Sequence, residues 1–484
     1  MTSSRGGDRR VATLVDALVP HLPPLGVLRV PANARAAHLA ARRSALPPST
    51  PMVVVARTDD EAHRLADDLE AWVGADHVRT LAERAALPLE RALPEHDESA
   101  ERLETLAMLA GHRQGQVIVA PLLALVQRTL GVEQLRDARM TVRAGERIDQ
   151  RRLLTALVQG GYEASVEVSG VGEFANRGGI VDVWPPGAVE PVRIDLFGDE
   201  VESIRSFDPM TQGSRRRLTE VLLLPASEFL PPGGWESLSA AITDRTEALS
   251  ADLARLEQGD VAEAAETWAA LLTGGPAADH VPPNAHVVLT DPDELAALAR
   301  DLDAQASERR DGLVASGELT PGWPLPYDAS GTLAALHDRA VEQLDEQVGD
   351  EAGYRAAPTL PGRADHIGEW LAAEVGRDRA TVVTTDQASR IAELLEAAER
   401  SVAPAAELRA APPRGAIGLV HGSLTGGFLH EPSGLLLLTD RELFGATRIR
   451  RLAPSKRVVT RDLIGKLSPG DLVVHVDHGI ARYV

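Results

Sequence analysis

VRIDLFGDEVESIRSF, residues 192–207, is the passage on which the fold turns. Apolar residues take every second position of VRIDLF, and a second such run follows Gly198-Asp199. Alternation with a period of two marks a strand with one buried face. Gly-Asp between two such runs fits a two-residue hairpin turn, since glycine adopts positive φ without steric cost. Val192, Ile194 and Leu196 therefore share the core face. Arg193, Asp195 and Phe197 share the other, which puts an aromatic beside an arginine on the polar side. That combination is what interface hot spots are built from. Arg177, in ANRGG just before the neighbouring strand, can join them. In the alternative arrangement a helix of the same domain covers Phe197, and Arg193 pairs with Asp195 or Asp182.

On either side, YEASVEV, GGIVDVWP and TEVLLLP alternate in the same way, and a short helix over 149–158 precedes them. Residues 141–228 thus read as a small, mostly antiparallel domain. The flanking chain differs in character. GVLRV (26–30), MVVVA (52–56) and QVIVAP (116–121) are short apolar runs suited to buried parallel strands, with helix patterns between them. Thr58 and Asp59 can start one of those helices and Gly74 can end it. Residues 229–360 are Ala-rich and helical around a single strand, AHVVLT (285–290). Residues 361–447 return to α/β, with helices over 365–375 and 387–400 and strands ATVVTT, AIGLVH and GLLLLT. RIRRLAPSKR (448–457) is a basic linker, read as a solvated tether that could make an accessory DNA contact. A new β unit begins near 469. The predicted fold class is α/β multidomain.

Composition narrows the function. A chain of 484 residues exceeds one core. Its net charge of −21 excludes a polyanion-binding surface spread over the whole molecule. The absence of cysteine excludes disulfides, thiol catalysis, zinc ribbons and iron–sulfur clusters. Six Trp, four Tyr and six Phe, without a cluster, leave no stacking platform for single strands. The N-terminus reads as an amphipathic helix, not a signal peptide. No run approaches the roughly 18 apolar residues of a membrane span, so a cytoplasmic location without membrane partners is expected.

The βα passage at 26–41 invites a phosphate loop. That chemistry needs glycines for close approach, a Lys for the phosphates and a hydroxyl for magnesium. VPANARAAH has no glycine, and Ala34 and Arg35 stand where Lys and Ser/Thr would be. Arg35 is expected to be solvated. The partner element, a strand ending in Asp-Glu, has its nearest counterpart in VVLTDPDE (287–294). There Pro292 follows Asp291 in place of the catalytic carboxylate, and Asp291 is expected to cap the next helix. Nucleotide binding around Ala34, Arg35 and Asp291 is thus expected to be lost. No G-x-S-x-G elbow occurs. His475 and His478, three apart on a strand, point to opposite faces, which disfavours a metal. RALPEHDES (91–99) reads as a loop.

Four passages resemble the N-terminal part of the bacterial transcription-repair coupling factor family. LPLERALPEHDESAERLETLAML with QGQVIVAPLLALVQR (87–128) is similar to a stretch shared with the excinuclease B subunit. FANRGGIVDVWPPGAVEPVRIDLFGDEVESIRSFDPMTQGS (174–214) resembles the adaptor module that those two families share. GFLHEPSGLLLLTDRELFG (427–445) resembles the segment before the family's linker. PGDLVVHVDHGIARYV (469–484) resembles the start of a CarD-like barrel that contacts RNA polymerase. The resemblance covers nearly the whole chain and is least distinctive over 229–360. No Tyr-rich DNA-clamping hairpin like that of the excinuclease B subunit is present.

The resemblance implies an architecture. Residues 1–140 and 229–360 would form a degenerate RecA-like, helicase-like lobe. An inserted β-rich domain of excinuclease-A-binding type (141–228) would interrupt it. A small α/β domain (361–447), a basic linker (448–468) and the truncated start of the barrel (469–484) would follow. It also implies a function: a non-catalytic adaptor that recruits the excinuclease A subunit (UvrA) to stalled RNA polymerase for nucleotide excision repair. By motif, the binding residues fall on Arg177, Arg193 and Phe197. In full-length members a C-terminal domain masks this face, so a chain ending at Val484 is expected to present it. This chain itself needs no cofactor. ATP and magnesium would serve a motor C-terminal to residue 484, and contact with the RNA polymerase β subunit would require the full-length protein. The incomplete barrel is expected to be poorly ordered and not to hold polymerase alone. DNA contact would be weak or indirect. The competing readings are an ATP-dependent helicase or translocase, and a DNA-binding module acting through 448–457.

Overall fold

The computed structural model describes residues 10–91, 96–111, 115–231, 238–240, 242, 244–256, 264–360, 366–375, 377–445, 472–475 and 479–482. The chain divides into two compact units, one of residues 1–137 with 228–448, the other of 138–227 with 449–484. It is a mixed α/β molecule with several sheets, and among the described residues none closes into a barrel.

The first unit is built on a seven-stranded sheet. Its order is Asp350–Glu351, Val27–Arg29, Ala340–Asp345, His286–Thr290, Met52–Ala56, Val117–Pro121 and Val78–Thr80, with every pairing parallel. MVVVA does not alternate because both of its faces are covered. Met52, Val54 and Ala56 join one apolar cluster, with helices Ala32–Ala45 and Asp59–Val73. Val53 and Val55 join another, with helices Pro292–Ala315 and Ala329–Arg339. The Thr58 hydroxyl accepts from the Glu61 N–H at the start of helix 59–73, and Gly74, at φ +96°, ends that helix.

Two readings need correction. Residues 229–360 hold more than one strand: Ala340–Asp345 lies inside the sheet, between Val27–Arg29 and His286–Thr290. AVEQLD looks too polar for that place, but Glu342 is fully buried with partners on both carboxylate oxygens. Residues 96–99, read as loop, begin the helix His96–Gly111.

A second sheet in this unit has the order Tyr354–Ala356, Phe428–His430, Leu435–Thr439, Ala380–Thr385, Ile417–His421 and Pro404–Ala405. Phe428–His430 runs antiparallel to both neighbours. Val382, Val420, Phe428 and Leu437 belong to the same apolar cluster as Leu28 and Val54, so the two sheets share a core. Where the chain enters this unit at Glu228, the carboxylate is fully buried between Arg102 and Arg84.

The second unit carries a six-stranded sheet. Its order is Ser214–Leu218, Glu200–Phe207, Val192–Phe197, Ile180–Val183, Glu173–Arg177 and Glu163–Ala164, antiparallel except for the last pair. Helix Gln150–Gln159, capped by the Asp149 carboxylate, lays Leu153 and Leu157 on the core formed by Val181, Val183, Val192, Ile194, Leu196, Val201 and Ile204. Leu472–His475 pairs with Gly479–Arg482 as a short antiparallel ladder. The basic linker 448–457 lies outside the described residues. Among the described residues no helix is long and apolar enough to cross a membrane.

Candidate partner-binding face

The hairpin forms as its alternation requires. Phe197 pairs with Glu200 across a turn at Gly198, whose φ is +62°. Val192, Ile194 and Leu196 are buried, whereas Phe197 is 80% exposed. Asp195 pairs with Ser203, but Leu196 pairs with Val201, so the strands slip by one residue at Glu202. Such a bulge increases the local twist and re-aims the side chains beyond it, and Phe197 is one of those.

The arginines are organised by one carboxylate. Asp182 is fully buried on the adjacent strand, directly opposite Arg193. Arg193 Nε donates to Asp182 Oδ1 at 2.6 Å and Nη2 to Oδ2 at 2.8 Å. Its guanidinium also lies 4.7 Å from the centre of the buried Phe207 ring. Arg177 donates to the same Asp182 oxygen, Oδ2. The side chain of Arg193 is 16% exposed and that of Arg177 is 44% exposed. The two alternatives for this face therefore split by residue. Arg193 does pair with Asp182, yet among the described residues no helix covers Phe197, which is 80% exposed. Arg193 and Arg177 meet on Asp182, and Phe197 lies four residues beyond Arg193 on the same strand face, about 13 Å along it.

Gly179 places Arg177. A Cβ at Gly179 would stand 2.6 Å from the Leu196 carbonyl oxygen, and the Leu196 N–H donates to the Gly179 carbonyl at 2.7 Å. Only a residue without a side chain lets this turn approach the hairpin strand so closely. Val168, Ala175, Trp184 and Phe207 cover one end of the same sheet face as a small satellite core. Asp195 holds Ser203 at 2.6 Å and also Arg205. Burial works to raise the Asp195 pKa, but the hydrogen bonds from Ser203 and Arg205 outweigh it and hold the pKa below its ordinary value. The face offers fixed cations and an exposed ring, which suits binding.

Asp182→Asn should lower the stability of this unit by about 2 kcal/mol, below the range for fully buried pairs because both arginines reach solvent. Urea unfolding would check it, and an unchanged midpoint would mean that Asp182 does not organise the face.

The nucleotide-like place is occupied by the chain itself. A cavity of about 510 Å³ lies at the carboxyl ends of the parallel strands, lined by Arg35, Glu61, Asp68, Asp291, Asp345 and Glu346 among others. Open α/β sheets bind ligands at this end. Here the Ala32 N–H, at the N-terminus of helix Ala32–Ala45, donates to Glu346 Oε1 at 2.9 Å. Arg35 is buried, not solvated, and donates to both Asp291 oxygens at 2.8 and 2.6 Å. Asp291 occupies the N-cap position before Pro292, at φ +47°, but its side chain makes no capping bond, because it is turned to Arg35. Ala34 is fully buried. The donors that a phosphate would take are thus engaged by carboxylates.

Sequence reasoning did not find the network around Glu342. His38 Nε2 lies 2.8 Å from Oε1, Arg42 Nη2 2.9 Å from the same oxygen, and His286 Nε2 3.2 Å from Oε2. Among the described residues no group of three His, Cys, Asp or Glu could hold a metal ion.

Residues 140–229, which include the hairpin face, match the family model of the UvrB interaction domain. The chain as a whole is similar to transcription-repair-coupling factors and consistent with their N-terminal part. It is 25% identical over 473 residues to that of Bacillus subtilis (strain 168) and 27% over 458 residues to that of Escherichia coli (strain K12). To that of Myxococcus xanthus it is 29% identical over 494 residues. Each of these alignments covers 90% of this chain and 40% of the relative. The chain therefore spans about 40% of the length of the curated relatives it matches.

Proposed function

We propose that this chain is the adaptor region of a transcription-repair coupling factor, and that its β-rich module recruits the excinuclease A subunit to RNA polymerase stalled at DNA damage. The observation that carries this reading is Phe197, 80% exposed at the end of a hairpin whose neighbouring arginines are fixed on a buried carboxylate. An exposed aromatic on the same strand face as oriented arginines is the composition from which interface hot spots are built. In this reading the seven-stranded sheet belongs to a RecA-like lobe that has lost its nucleotide site, and Leu472–His475 with Gly479–Arg482 begins the polymerase-contacting barrel. Arg35, Asp291 and Glu346 replace nucleotide chemistry with internal pairing, and the chain is non-catalytic. ATP turnover and polymerase contact belong to the longer protein.

The test is a pull-down of purified excinuclease A subunit with the wild-type chain and with Phe197→Ala. Equal capture of the subunit by both would remove the face from the proposal. A second expectation separates the adaptor from an ATPase. Ligands that bind the native state raise Tm by mass action, so millimolar ATP with magnesium should leave the melting temperature of this chain unchanged. A dose-dependent rise that disappears in Arg35→Ala would revive the nucleotide reading.

A further inference from the structure

The face that carries Phe197 is more basic than the hairpin alone. Strand register sets Arg193 opposite Arg205 and Arg205 opposite Arg217, so three guanidinium groups form one row across three strands. Like charges directly opposite one another destabilise a sheet. Carboxylates offset two of the three, since Asp182 holds Arg193 and Asp195 holds Arg205. Arg217 is exposed, and among the described residues no carboxylate pairs with it. The register shifts between Arg205 and Phe207, so the face of Arg217 does not extend by parity to Arg215, which is bridged to Glu190 and Asp208. Ser214–Leu218 is the last strand in the sheet order, so its outer backbone edge is free among the described strands. Leu218 packs against the core, which fixes the opposite orientation for Arg217.

We propose that the arginine row extends the partner-binding face from Phe197 to strand Ser214–Leu218, and that the partner lays an acidic segment over it, with a carboxylate meeting Arg217. This rests on the reading of the module as the excinuclease A docking site. A protein segment fits better than DNA. Of the four arginines at 177, 193, 205 and 217, three already hold carboxylates, whereas a duplex needs several unneutralised cations. An exposed ring and an open strand edge also suit a polypeptide, which can pair along the edge. The row supplies a reason for the unoffset repulsion: the charge at Arg217 is completed by the partner.

The test titrates purified excinuclease A subunit onto the full chain as wild type, Phe197→Ala, Arg217→Glu and Arg216→Glu. Arg216 is also exposed but, next to Arg217 in the strand, lies on the Leu218 side, so its variant carries the same charge change on the other face. Arg217→Glu should weaken binding about tenfold, Arg216→Glu less than about threefold, and added salt should narrow the gap between wild type and Arg217→Glu. Equal losses in the two charge variants, or no loss in either, would overturn the extension. So would a duplex DNA probe that binds the wild-type chain and loses affinity in Arg217→Glu while the protein partner does not. If Phe197→Ala abolishes binding and Arg217→Glu does not weaken it, the extension alone fails. If the wild type does not bind, the docking reading fails and takes the extension with it.

Discussion

Phe197→Ala is expected to weaken binding of the excinuclease A subunit by about thirtyfold or more while leaving the melting temperature of the chain unchanged. Loss of a central aromatic anchor typically costs at least about 2 kcal/mol in an interface. Truncating a ring that is 80% exposed opens no cavity in the core, and surface changes of that kind usually stay within about 0.5 kcal/mol of wild-type stability. The separation of the two readouts is what distinguishes a binding residue from a packing residue. Arg193 cannot give so clean a result. It holds Asp182 in two hydrogen bonds and covers the Phe207 ring, so Arg193→Ala would reduce stability and affinity together. A drop in melting temperature for Phe197→Ala, or an unchanged affinity, would contradict the assignment.

Glu342→Ala should produce the largest loss of stability, about 3–5 kcal/mol near neutral pH. The carboxylate sits inside the seven-stranded sheet with Arg42, His38 and His286 against it. Its removal leaves Arg42 without its carboxylate in a dry place. The effect also carries a pH signature. Burial works to raise the Glu342 pKa, but hydrogen bonds from His286 and His38 and the charge of Arg42 outweigh it, and the carboxyl is held well below its ordinary value of 4.5. A carboxylate with a depressed native pKa contributes stability above its unfolded pKa and loses it as pH falls through the native one. Wild-type stability should therefore decline below about pH 4.5, and the decline should be shallower in Glu342→Ala. Urea titrations at pH 7 and pH 4 would show both effects. A variant as stable as wild type at pH 7 would mean that Glu342 does not organise this sheet.

The parts legible in the sequence are those where local pattern and burial agree. VRIDLF and EVESIRSF alternate, and their alternation placed Val192, Ile194 and Leu196 inside and Phe197 outside. Gly198 marked the turn by the one residue type that takes its φ freely. MVVVA reads as a two-sided strand because helices cover both of its faces. What escaped was long-range pairing between polar residues. Arg35 and Asp291 are 256 positions apart, and nothing near either one announces the other. Glu346 reaches the Ala32 N–H across 314 positions. The strand Ala340–Asp345 hid for the same reason, since its buried Glu342 is tolerated only through partners on distant elements. Parity showed which side Arg193 faces but not whether it would be solvated. Asp182, on the next strand, decided that.

These two classes of residue divide the work of the face. Asp182, Gly179 and Asp195 set its shape, and Phe197 and Arg177 project from it. The most direct measurement is a calorimetric titration of the wild-type chain with purified excinuclease A subunit, repeated with Phe197→Ala. Saturable binding by the wild type and its loss in the variant are expected. No binding by the wild type, or equal binding by both, would contradict a docking face centred on the hairpin.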